Sequence, residues 1–76
     1  MNIPLSSLPV GKSGIVYSLS VSGAERRRFL DLGIVSGTEI TSLHKSPFGD
    51  PTAYFIRGAV IALRKDDALK INMDII

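Results

Sequence analysis

The sequence predicts a mainly β fold: a small five-stranded barrel with one short α-helix inserted after the first strand. Three observations carry this. The apolar residues fall in short β-branched runs separated by Gly and Pro. Only the segment around residues 22–33 has the start and stop signals of a helix of several turns. The chain has 76 residues, which suffices for one domain with a thin core.

The elements follow in order. Pro9, Val10 and Gly11 make a turn, and residues 15–19 (IVYSL) read as the first strand. Ser22 is placed to cap a helix, with Glu25 three residues later at capping-box spacing. Gly33 follows Leu32 and suits the left-handed residue that ends a helix, so the helix is expected over 23–32. Phe29 and Leu32 share one side of it, with Leu30 at the margin. Residues 35–38 form a turn in which Gly37 supplies a positive φ.

A second strand is expected over 39–44, then a loop, SPFGDPT, over 46–52. Residues 53–57 and 60–64 read as two strands joined by a tight turn at Gly58. Residues 65–69 fit a single helical turn capped by Asp66. Ile71, Met73 and Ile75 alternate with Asn72 and Asp74 as a last, half-buried strand. Five short strands cannot make a flat sheet with two good faces. Curling removes the free edges and encloses one core, which gives an SH3-like barrel.

Composition narrows the function. The chain is 45% hydrophobic and contains no Cys, which excludes disulfides, thiolate metal sites and Cys nucleophiles. The first residues lack a basic region followed by a long apolar one, and no apolar run is long enough for a membrane helix. A cytoplasmic location without membrane insertion is the expectation. The net charge of +2 comes from interleaved acids and bases, which argues against a nucleic-acid partner.

Chemical motifs are sparse. Gly11-Lys12-Ser13 ends like a phosphate-binding loop, but Ser6 stands where that motif needs glycine, and a strand follows instead of a helix. His44 is the only histidine; Asp50 and Asp66 are candidates to join it, but nothing in the sequence fixes their geometry. No nucleophile–base pair is visible. The expectation is therefore no enzyme activity, no catalytic residue, no cofactor and no metal site.

Three consecutive arginines, Arg26 to Arg28, lie on the helix. Arg26 and Arg28 project about 200° apart, so the three cannot line one stripe. Arg27 and Arg28 are spaced to pair with Asp31. The arginines read either as a solvated face or as a protein-docking edge. Phe48 stands in the middle of a loop stiffened by Pro47 and Pro51, with Gly49 able to turn left-handed and Asp50 able to bond its own backbone. It is either a partner anchor or a cap on one end of the barrel.

Four segments in order resemble the FeoA family of bacterial ferrous iron uptake. LSSLPVGKSGIV is similar to the family's opening, and RRRFLDLGIVSGTEI to its Arg-Leu-x-x-Leu-Gly-hydrophobic-Pro-Gly-Thr-x-Ile pattern. SPFGDPTAYFIRG is similar to its Pro-Leu-Gly-Asp-Pro segment and following strand, and IALRKDDALKINM to its ending. Phe29, Ser36 and Phe48 depart from the pattern where Leu, Pro and Leu are usual.

The resemblance implies an SH3-like domain and a partner, the membrane transporter FeoB with its cytoplasmic GTP-binding domain. It also implies a relation to the C-terminal domain of DtxR-type metal-dependent repressors, which suggests the alternative of a stand-alone domain that binds protein segments or a transition metal. Matched to the motifs, Gly33, Gly37, Pro47, Gly49, Pro51 and Gly58 shape the backbone. Arg26, Arg28, Phe48, Asp50 and Arg57 are the expected partner contacts. Weak self-association is expected through an edge at the C-terminal strand.

Overall fold

The structure, a computed structural model, describes residues 2–75. Six antiparallel strands form one sheet: β1 (Asn2–Pro4), β2 (Ser13–Leu19), β3 (Glu39–Lys45), β4 (Thr52–Ile56), β5 (Ala59–Leu63) and β6 (Ile71–Ile75). A 3-10 turn, Leu5–Ser7, follows β1. Helix α1 (Gly23–Asp31) lies between β2 and β3, and the short α2 (Lys65–Ala68) between β5 and β6. The strand order is β1-β6-β2-β3-β4-β5.

The SH3-like, mainly β expectation holds, with three corrections. The first strand, β1, is additional to the five expected. It has three residues and includes Pro4, too short for an alternation to show. The second correction is that the sheet does not close into a full barrel, since β1 and β5 are its two ends and do not pair. It still wraps one core: Leu63 from β5 belongs to the buried cluster, and Ile3 from β1 packs against it. The third is that the C-terminal strand is no edge, because β6 pairs with both β1 and β2.

The core is made of Leu5, Leu8, Val16, Phe29, Ile34, Ile40, Tyr54, Ile56, Leu63, Ala68, Ile71 and Met73. The sheet contributes alternate residues, as a pleat with one buried face requires. Helix α1 contributes Phe29, which is fully buried, while Leu32 is half-buried and Leu30 exposed. Burying a Phe side chain contributes roughly 2–3 kcal/mol, so this one residue is the main anchor of α1 on the sheet.

Two bulges re-aim side chains. One extra residue, Tyr17, sits between the Val16–Met73 and Ser18–Asn72 pairs, and Leu43 sits between Ser42–Tyr54 and His44–Ala53. Both Tyr17 and Leu43 end up exposed.

Candidate functional site

The helix ends as its sequence requires. Gly33 has φ +86° and Leu32 is the last right-handed residue. The N–H of Gly33 donates to the carbonyl of Leu30 at 2.9 Å, and that of Ile34 to Phe29 at 3.0 Å. The chain then turns through residues 33–38. Thr38 is buried; its hydroxyl donates to the Gly33 carbonyl at 3.0 Å, and the Gly37 N–H donates to Val16 at 2.8 Å. Gly37 has φ +93°, so its positive φ is as expected.

The hairpin between β4 and β5 approaches this turn. Its two central residues are Arg57 and Gly58, with φ 49° and 83°. Positive φ at both positions is the type I′ geometry that suits the strand twist. The strands therefore begin and end one residue earlier than the sequence suggested: Arg57 and Gly58 make the turn together. The Arg57 side chain lies across Gly33, where a Cβ would collide with its Cδ.

Between the two turns lies an open cleft of about 400 Å³. Gly37, Thr38, Glu39, Thr41, Phe55, Arg57 and Gly58 line it. Phe55 is partly exposed, and its cross-strand neighbour Val60 more so. The cleft holds one cation, one carboxylate and hydroxyls around an aromatic edge. That is the inventory of a contact surface.

The opposite end of β4, roughly 15 Å away, carries the loop 46–51. The Gly49 N–H donates to the Ser46 carbonyl at 2.9 Å, and the Ser46 N–H to Pro51 at 3.0 Å. Gly49 takes a positive φ of 85° and the Asp50–Pro51 peptide is cis. Phe48 is 96% exposed, which removes the reading in which it folds back as a cap. Asp50 does not bond its own loop. Its Oδ1 accepts from the Lys65 N–H at 2.8 Å, and its Oδ2 lies 4.0 Å from Arg64. The cap of α2 is thus Asp50 rather than Asp66, which lies inside the helix.

The arginine run divides by function. Arg28 donates to Asp67 Oδ1 at 2.9 Å and stacks over Phe29 at 4.9 Å. It joins α1 to α2 instead of pairing with Asp31. Arg27 lies 3.9 Å from Asp31. Arg26 is exposed and has no ion-pair partner among the described residues. Ser22 holds the N-cap position of α1 but makes no side-chain bond there, and Glu25 pairs with Lys70 at 2.5 Å. That hydrogen bond to Glu25 holds the Lys70 ammonium above its ordinary pKa. Burial raises the Tyr54 phenol, opposed by a hydrogen bond with Thr52 and reinforced by Asp50.

The expected contact residues therefore form no single cluster. Arg57 is at the cleft, Phe48 and Asp50 are at the far end of β4, and Arg26 and Arg28 are on α1. The feature that sequence reasoning missed is the cleft itself. Its two sides meet because β3 pairs with β4 at Ile40–Ile56, which sets the turn before β3 beside the turn after β4, a register that no single segment of the sequence reveals. Among the described residues no group of three or more His, Asp or Glu side chains is placed to hold a metal ion. Among the described residues no helix is long and apolar enough to cross a membrane.

Fold and site together define a small SH3-like domain with an open sheet. The chain belongs to the FeoA family: the family model described as the FeoA domain matches residues 3–74. It is 35% identical over 72 residues to an Fe(2+) transport protein A/Fe(2+) transporter FeoB fusion protein of Porphyromonas gingivalis, covering 95% of this chain and 8% of that protein. Among solved structures it is similar to an FeoA-like protein from Clostridium acetobutylicum, at 35% identity and TM-score 0.91, covering 99% of this chain and 87% of the other. It is also similar to the FeoA of Stenotrophomonas maltophilia complexed with zinc, described there as a prokaryotic SH3 domain protein, at 32% identity and TM-score 0.81, covering 97% and 89%. A manganese-dependent transcriptional repressor shares the fold alone, at 21% identity and TM-score 0.86 over 99% of this chain and 42% of the repressor.

Proposed function

We propose that this chain is a non-enzymatic cytoplasmic accessory of ferrous iron uptake that docks on the cytoplasmic part of an FeoB-type transporter. The observation that carries this reading is the fusion protein of Porphyromonas gingivalis, in which a segment matching 95% of this chain is joined covalently to a transporter. Two proteins that work in contact tolerate such a joining, because the linker raises their effective concentration without changing the contact.

Phe48, Arg26 and Arg57 are the side chains proposed to reach the partner, since each is exposed. Phe48 supplies an aromatic anchor on a loop whose backbone is already held. Arg28 and Asp50 support that surface by fixing α1 and the loop against α2.

Calorimetric titration of the separately produced cytoplasmic part of a cognate FeoB tests this. Saturable binding that Phe48→Ser weakens supports the reading. Absence of heat at concentrations up to about a millimolar, where binding energy is near 4 kcal/mol, overturns it for that part of the transporter.

A further inference from the structure

The two ends of the sheet are not equivalent. The β1 edge is three residues long and contains Pro4, a short and blunted edge that resists further pairing. The β5 edge has five residues, Ala59–Leu63, with the sequence AVIAL and no charge, proline or bulge. It pairs with β4 on one side and, among the described residues, with nothing on the other.

The hairpin register says which groups are free. A two-residue turn makes Ile56 and Ala59 a mutually hydrogen-bonded pair, and the antiparallel ladder then alternates. Tyr54–Ile61 and Thr52–Leu63 bond in turn. The N–H and C=O groups of Val60 and Ala62 therefore point to the open edge. Both residues are exposed, and beside them on the same face Val60 pairs with the partly exposed Phe55.

Cations bracket this neutral edge. Arg57 precedes it and has no ion pair among the described residues; Arg64, 75% exposed, and Lys65 follow it. A second copy pairing in full two-fold register would bring the turn carrying Arg57 beside the Arg64–Lys65 end of its partner, gathering like charges at both ends of the strand pair. A strand with carboxylates at its ends meets the same groups favourably.

We propose that the free edge of β5 takes up an extended segment of a partner protein as an added strand, the segment being apolar at alternate positions and acidic at its ends. Main-chain bonds to Val60 and Ala62 hold it, Phe55 and Val60 receive its apolar side chains, and Arg57 and Arg64 select its ends. This deepens the docking reading above and rests on it in taking that docking partner to supply the segment.

The test is an amide NMR titration with a short synthetic peptide carrying Val at alternate positions and Glu at both ends, and with the same peptide carrying Lys at its ends. The Glu peptide is expected to shift the amides of Val60 and Ala62 and slow their hydrogen exchange. The Lys peptide should bind about tenfold more weakly. Ala62→Pro removes an N–H that β4 does not use and should weaken the Glu peptide about tenfold or more. Should that variant not fold, Arg57→Glu replaces it and is expected to favour the Lys peptide.

Equal binding of both peptides, shifts remote from β5, or no shift at millimolar peptide overturns the proposal. Cognate FeoB cytoplasmic part that binds Ala62→Pro as well as the unaltered chain also overturns it, while leaving the transporter reading in place. Binding of the Glu peptide at β5 with no binding of FeoB supports this edge and removes that part of the transporter as its occupant.

Discussion

The Asp50 carboxylate accepts a hydrogen bond at 2.8 Å from the backbone N–H of Lys65, fifteen residues further along the chain. A loop residue thereby caps the helix that follows the next hairpin. The bond fixes the loop carrying Phe48 relative to α2, and through Asp67 relative to Arg28 on α1. The Pro-Phe-Gly-Asp-Pro segment thus works first as a brace, and its exposed aromatic is presented by that brace.

Asp50→Ala should therefore act on stability. Losing a capping carboxylate costs about 1 kcal/mol, which lowers the melting temperature of a domain this size by about 4–8 °C. Thermal unfolding checks this. Asp50→Asn keeps an acceptor and should recover most of the loss.

The Arg28 and Asp67 side chains are 48% and 24% exposed. A double-mutant cycle of Arg28→Ala and Asp67→Ala is expected to give a coupling of about 0.5 kcal/mol, the scale of partly exposed ion pairs. Arg28→Ala alone should cost roughly twice that, since it also loses the stacking on Phe29. Denaturant unfolding of the three variants measures both.

Gly33→Ala sets a residue with a Cβ at φ +86°, against the Arg57 side chain. The backbone cost is about 1–2 kcal/mol. The exposed Arg57 side chain can swing its Cδ aside by rotation about its inner bonds, so Arg57→Ala in the same chain should recover only a minor part. Full rescue by the double variant, read from unfolding midpoints, would show that the contact rather than φ governs this position.

High pH should destabilise the fold. Hydrogen bonding to Glu25 raises Lys70, and burial raises Tyr54. For each, the folded pKa lies above the unfolded one, so the contribution is complete below the unfolded value of about 10. It is lost as pH rises through the folded value, where the unfolded chain binds fewer protons. The melting temperature should hold level to about pH 9 and fall above about pH 10. Tyr54→Phe and Glu25→Gln should each make that fall shallower.

Local signals were legible in the sequence. The stop at Gly33, the positive φ at Gly37 and the burial of Phe29 follow from residue type and spacing alone. Non-local partners were not. Glu25 had capping-box spacing for Ser22, yet Lys70, 45 residues away, takes its carboxylate. Arg28 had Asp31 within one turn and reaches Asp67 instead. The turn at Arg57 was shifted by one residue because Arg is an ordinary strand residue, and only the type I′ geometry forces it out of the ladder. The free β5 edge depends on which strands meet, a property of topology that no single segment carries.

The most direct measurement is an amide NMR titration of the labelled chain with the cytoplasmic part of its cognate FeoB at physiological salt. The docking account predicts shifts confined to exposed groups around Phe48, Arg26 and the Arg57–Ala62 segment, with the buried amides of Val16, Ile40 and Met73 unmoved. Shifts spread evenly over the molecule, or none at millimolar partner, would contradict it.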